Sequence, residues 1–216
     1  MTIDRPGYGL STMQPGRTYL GFADDVLALA DHLQVKRFYM TGWSSGGCYA
    51  LACAAKIPSS RLAGVLTIAS DPPWGSVPPQ MRVSIQRVAF FGYTSLRSFL
   101  PAILGLLLRL LVAFGGAPKL QERIMEANRQ TIRATVQEMI IERNPWDFKL
   151  EDIKIPVYIW HGTTDVMVPV ASADYLAERI PGSTKRILEG KGHMIVSSHW
   201  AEMVNFLLDQ PEKSKL

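Results

Sequence analysis

The run Gly42-Trp43-Ser44-Ser45-Gly46-Gly47 is the part of this chain best suited to covalent chemistry. It fits the pattern G-x-S-x-G. An apolar, strand-like run (Arg37–Thr41, RFYMT) precedes it, and an Ala-, Leu- and Cys-rich helical run (Gly46–Ala55) follows. A strand that passes directly into a helix must turn sharply, which requires small residues two places before and two after the serine. Gly42 and Gly46 meet that requirement. The turn lifts the serine hydroxyl above the sheet edge and aims the next N–H at a developing oxyanion. Ser44 is therefore the candidate nucleophile and the Ser45 N–H the candidate oxyanion donor. Ser45 is the poorer nucleophile, because Trp43 would then occupy a position that must be small.

A serine hydroxyl needs a base, usually histidine, and a carboxylate to orient that base. The chain has four histidines: His32, His161, His193 and His199. His32 and His199 fall on helical runs and read as surface residues. His161 ends a strand. His193 lies in Gly190-Lys191-Gly192-His193, a glycine-rich loop after the last strand, and is the candidate base. Asp165, in His161-Gly162-Thr163-Thr164-Asp165, follows a strand immediately and is the candidate acid. Asp71 also follows a strand end and competes with it. Ser44, Asp165 and His193 stand in the chain order Ser…Asp…His.

The elements needed to position these residues alternate between helical and strand patterns, which points to an α/β sheet. Helices are expected at Phe22–Leu33 (apolar face Val26, Leu27, Leu29, Ala30, Leu33), Gly46–Ala55, Ala171–Ile180 and Ser198–Leu208. Strands are expected at Arg37–Thr41, Leu62–Ala69, Ile155–His161 and Thr184–Leu188. The rhythm breaks between Asp71 and Asp152. Helical runs there, at Val83–Phe90, Leu96–Phe114, Lys119–Asn128 and Thr131–Arg143, read as a lid inserted between two strands. The resulting division is 1–70 and 153–216 for the core and 71–152 for the lid. Phe99–Phe114 is very apolar but contains Pro101, Gly105 and Arg109. It is short of the ~20 apolar residues of a membrane span, so a lid helix over an apolar pocket is favoured, with peripheral membrane contact the other reading.

Together, Asp4-Arg5-Pro6-Gly7-Tyr8-Gly9-Leu10-Ser11, the turn at Gly42–Gly46, His161-Gly162-Thr163-Thr164-Asp165 and Gly192-His193 resemble the α/β-hydrolase superfamily, and they run through most of the chain. The resemblance implies an α/β-hydrolase fold with a mostly parallel sheet and a helical lid. It also implies Ser44, Asp165 and His193 as nucleophile, acid and base. A serine nucleophile implies esterase, lipase, thioesterase or C–C hydrolase chemistry, with no metal and no organic cofactor. The chain departs from the family at its start. There the Asp-Arg-Pro-Gly-Tyr-Gly run follows a fourth strand, whereas here it begins at residue 4. The expectation is a fold lacking the first three strands and the loop that supplies the second oxyanion N–H. Arg37–Thr41 would then lie at an open edge. A catalytically impaired scaffold is the alternative reading.

Composition fits a globular chain. Of 216 residues, 47% are hydrophobic and 19% charged, which excludes a mainly disordered chain. The net charge of +4 resides between Asp71 and Leu150 without a Lys/Arg cluster, so no nucleic-acid partner is expected. Cys48 and Cys53 read as reduced, half-buried thiols. The N-terminus lacks a secretory pattern. The final residues Ser214-Lys215-Leu216 match a peroxisomal address read by an import receptor in a eukaryotic source; otherwise a cytoplasmic location is expected. Combined with the hydrolase motifs, this tail is similar to peroxisomal α/β-hydrolases of fungal secondary metabolism, including host-selective toxin biosynthesis. That similarity implies a lipophilic acyl substrate, an ester or thioester.

Overall fold

The computed structural model describes residues 1–77, 106, 122, 125–130 and 133–210. Its framework is a parallel sheet in the order β1-β2-β3-β4, formed by Phe38–Trp43 (β1), Leu62–Ile68 (β2), Val157–Gly162 (β3) and Thr184–Leu188 (β4). The register pairs Trp43 with Ile68, Ile68 with Trp160 and Gly162 with Leu188, so the C-terminal ends of the strands align. Loops at this end of a parallel sheet carry function in open α/β folds.

The burial of each strand follows its place in the sheet. The inner strands β2 and β3 are buried almost throughout, as their near-continuous apolar sequences require when both faces are covered. The outer strands β1 and β4 are largely half-buried or exposed. Among the described residues β1 has a strand on one side only.

Helix α1 (Tyr19–His32) is capped by the Thr18 hydroxyl, which accepts from the Gly21 N–H at 3.0 Å. It buries Tyr19, Phe22, Ala23, Val26 and Ala30 and packs on α2 (Gly46–Lys56). Leu33, expected on that face, lies past the last turn and is exposed. Helix α2 packs against β1 and β2 and is buried from Gly47 to Ala54. Its small residues let helix and sheet approach closely. Cys48 and Cys53 are therefore fully buried rather than half-buried, and burial pushes the Cys53 thiol up to about 12.

Helix α4 (Ala171–Arg179) packs on β3 and β4. Helix α5 (Ile195–Leu208) begins three residues earlier than expected, directly after the His193 loop. Its Ile195, Met203 and Leu207 pack with Leu66, Ile68, Tyr158 and Trp160. These four strand residues occupy alternate positions in β2 and β3 and share one face of the sheet.

The chain divides into two compact units, Thr18–Arg87 with Pro145–Leu216, and Met1–Arg17 with Val88–Asn144. All four strands lie in the first. In the second, the N-terminal motif packs with residues around α3 (Arg133–Arg143). A buried polar knot joins these segments. The Arg17 guanidinium donates to the Pro6 carbonyl at 2.9 Å and to Glu138 at 2.6 Å, and Gly9 N–H donates to the Ala127 carbonyl at 3.0 Å. Helix α3 falls where a helix was expected at Thr131–Arg143. Val83–Phe90, Leu96–Phe114 (apart from Leu106) and half of Lys119–Asn128 lie outside the described residues, as does Ser214–Leu216. Among the described residues no helix is long and apolar enough to cross a membrane.

Candidate active site

The candidate residues meet at the C-terminal end of the sheet. Strand β1 runs through Trp43, two residues further than its apolar pattern suggests, and the next residue is Ser44. Ser44 adopts φ +53, a left-handed conformation that costs a non-glycine residue about 1 kcal/mol or more. The Ser44 N–H donates to the Ile68 carbonyl at 2.9 Å, and the Ser44 carbonyl accepts from the Gly47 N–H at 2.9 Å. Space explains Gly42, because a Cβ there would overlap the Gly46 carbonyl and approach the Gly47 Cα. Gly47, which the pattern does not demand, faces Ser70 at the end of β2, and a Cβ on it would strike the Ser70 hydroxyl. Ser70 is 2% exposed and donates toward the Gly42 carbonyl at 3.3 Å. Ser45 heads helix α2, and its N–H has no acceptor among the described residues. A helix N-terminus favours negative charge.

The second half of the site is built by the loops after β3 and β4. Gly162 lets them meet, since a Cβ there would overlap the Lys191 carbonyl. Thr164 N–H donates to Lys191 O at 2.9 Å, Thr163 N–H to Leu188 O at 3.1 Å, and Gly190 N–H to the Thr163 hydroxyl at 2.9 Å. Asp165 and His193 thereby come together, with Nδ1 of His193 2.9 Å from Oδ2 of Asp165. Asp71, the competing carboxylate, does not make this contact. The Asp165 side chain is wholly buried and that of His193 is 13% exposed.

Four donors surround the carboxylate. Oδ1 accepts from the N–H groups of Met167 at 2.8 Å and Val168 at 2.9 Å. Oδ2 accepts from His193 and lies 3.4 Å from Nε2 of His161. Burial alone would raise the Asp165 pKa. Hydrogen bonds from His161, His193, Val168 and Met167 outweigh it and hold the carboxyl well below the usual carboxylate range. An ionised Asp165 assigns the proton on His193 to Nδ1, leaving the Nε2 lone pair to act as a base.

Two contributors were not evident as such from the sequence. His161 reads there as a strand end, but it is 1% exposed, with Nε2 3.1 Å from the Val168 carbonyl. Both neighbours of Nε2 are acceptors, so this nitrogen carries the proton. Trp43 reads there only as too large for a small-residue position. Its indole N–H donates to the His193 carbonyl at 2.9 Å, and the two rings lie 5.2 Å apart. Ser44 and His193 share no hydrogen bond in this structure. Of the remaining histidines, His32 is exposed at the end of α1, and His199 on α5 pairs with the Ser198 hydroxyl at 2.7 Å. Among the described residues no group of three His, Cys, Asp or Glu side chains is arranged to hold a metal ion.

The chain resembles known proteins in sequence and in shape. The chain is similar to the pimeloyl-[acyl-carrier protein] methyl ester esterases of Aromatoleum aromaticum (27% identical, covering 90% of this chain and 80% of the relative) and Nitrosomonas europaea (25%, covering 88% and 76%). It is also similar to a putative carbamate hydrolase of a Caulobacter species (26%, covering 88% and 72%). Among solved structures, an esterase from Exiguobacterium antarcticum superposes with TM-score 0.68 at 21% identity, covering 94% of this chain and 77% of that one. These relatives are bacterial and give no support to the resemblance to fungal peroxisomal hydrolases. A model of the alpha/beta hydrolase fold matches residues 1–199. The match spans the parallel sheet, the serine elbow and the Asp–His pair, and the chain belongs to the α/β-hydrolase family, as a hydrolytic enzyme whose relatives include esterases.

Proposed function

We propose that this enzyme hydrolyses an ester or thioester of a lipophilic acyl group through Ser44, His193 and Asp165. The observation that carries the reading is the pairing of Nδ1 of His193 with a buried, ionised Asp165, which leaves Nε2 as base in a loop bonded to Trp43, the residue before the strained Ser44. Ser44 Oγ attacks the acyl carbon while His193 Nε2 takes its proton. Asp165 stabilises the imidazolium, and the Ser45 N–H donates to the oxyanion. Collapse breaks the bond to the alcohol or thiol, which leaves with the proton from His193. Water then adds to the acyl-enzyme with the same base, releasing the acid and restoring Ser44.

The apolar character of the substrate is supported by the residues beside the three reacting groups. Trp43, Val166, Met167 and Met194 are 38%, 71%, 44% and 50% exposed, and each is a chain neighbour of Ser44, Asp165 or His193, or one residue further. Large apolar side chains grouped at a surface mark a binding face. The named esterase relatives support an ester bond at an acyl chain.

The test is hydrolysis of p-nitrophenyl acetate, butyrate and octanoate by the full chain. The reading expects kcat/KM to rise with acyl length, by at most about fourfold per methylene, since each buried CH2 contributes ~0.8 kcal/mol. Equal rates from Ser44→Ala refute it, and a preference for acetate refutes the lipophilic substrate. Absence of turnover by folded enzyme favours the impaired scaffold. We further propose import into peroxisomes through Ser214-Lys215-Leu216, tested by fusing this tail to a fluorescent protein. A cytosolic signal from the intact tail overturns it. A role in toxin biosynthesis rests on the resemblance alone.

A further inference from the structure

Trp43 is a large indole left 38% exposed, whereas Trp160 in the neighbouring sheet core is 1% exposed. Burial does not account for its position. Its backbone belongs to β1 and pairs with Ile68, so the side chain projects from a rigid strand. The residue after it is Ser44. The indole N–H of Trp43 reaches a main-chain carbonyl 150 residues away, on the residue that carries the base. On its other side the His193 loop is laced to the Asp165 loop through Thr163, Thr164 and Gly190. Toward the elbow, with no bond between Ser44 and His193, the hydrogen bond that joins the two segments among the described residues is that of Trp43.

We propose that Trp43 is a positioning residue that tethers the His193 loop to the nucleophile elbow and so sets the separation of base and nucleophile. The proposal rests on the assignment of Ser44 and His193 given above. A loop with glycines at 190 and 192 samples many conformations unless it is held, and proton transfer needs hydrogen-bond reach at the moment of attack. A single indole donor supplies the hold on the elbow side through the main chain, leaving both imidazole nitrogens free for Asp165 and Ser44. The ring contact at 44° adds a lateral constraint on the imidazole.

Two variants separate the donor from the ring. Trp43→Phe keeps a ring and deletes the N–H, and Trp43→Leu deletes both. The readouts are the maximal rate of phosphonylation by a fluorophosphonate, the concentration giving half that rate, the thermal midpoint, and deuterium exchange at the amides of residues 189–194. The expected result for Trp43→Phe is a maximal rate lowered about three- to tenfold, with the half-maximal concentration within about twofold of wild type and an unchanged midpoint. Trp43→Leu loses more, and exchange over 189–194 speeds up in both. Wild-type rate and exchange in Trp43→Phe overturn the proposal, and so does a rate loss that merely follows a lowered midpoint. If the wild type takes up no phosphonate, the assignment of Ser44 fails, while exchange at 189–194 still decides whether Trp43 holds the loop.

Discussion

The two halves of the active site are held by opposite means. The elbow around Ser44 is fixed largely by what is missing. Gly42 and Gly47 leave room for the Gly46 carbonyl and the Ser70 hydroxyl, and the backbone is forced into φ +53 between them. The Asp165–His193 half is fixed largely by what is present, namely four donors around one buried carboxylate and a ladder of bonds between two loops. A nucleophile must stand clear of its surroundings, so steric exclusion suits it. A base must keep one nitrogen engaged and the other free, so directional bonds suit it. The elbow should therefore respond to added volume and the loops to deleted hydrogen bonds.

The largest expected effect tests the loops. Asp165→Asn keeps shape but removes the charge that selects the Nδ1–H tautomer of His193. The expected loss in kcat is on the order of 10⁴-fold, as for the corresponding change in a serine protease triad. Ester turnover with urea unfolding as control measures it, and a loss below tenfold contradicts the role of Asp165.

Added volume at the elbow comes next. Gly42→Ala brings a methyl onto backbone atoms that have no rotamer to yield, and a cost of about 1–3 kcal/mol is expected. Chemical unfolding gives the number, and a neutral result would show that the elbow is looser than its geometry implies.

His161 divides the comparison more finely. His161→Phe strips the donor from both the Val168 carbonyl and Asp165, at an expected ~1–3 kcal/mol. His161→Gln, which can restore an N–H near the same place, should recover part of that in the same unfolding assay. Equal losses in the two variants would assign the effect to ring packing.

The smallest effect concerns acid. The folded Asp165 carboxyl lies below its unfolded value of about 3.9, so the unfolded state binds this proton more readily. Its contribution to stability is fully present above about pH 4 and is lost as pH falls from there toward the folded value. Urea midpoints from neutral pH down to about 3 should therefore fall less steeply at the acid end in Asp165→Asn than in wild type.

Local physics made the elbow and inner strands legible from sequence. Only glycine satisfies a turn as tight as that at Gly42. Only near-continuous apolar runs survive in strands buried on both faces, as β2 and β3 do. The order of Ser44, Asp165 and His193 was legible from the strand ends and the glycine-rich loop and agrees with the family resemblance, and the structure pairs Asp165 with His193. Contacts between distant segments were not legible. The bond from Trp43 to His193 spans 150 residues, and nothing in the periodicity of β1 marks it. His161 looked like the end of a strand because its partner, the Val168 carbonyl, is a main-chain group invisible to pattern reading. Arg17 and Glu138 meet across 121 residues, and no local pattern marks that pairing.

The most direct measurement is the intact mass of the full chain after treatment with a fluorophosphonate, beside Ser44→Ala. The account predicts one phosphonyl adduct on the wild type and none on the variant. An unlabelled, folded wild type would contradict a working triad, and an adduct persisting on Ser44→Ala would place the nucleophile elsewhere.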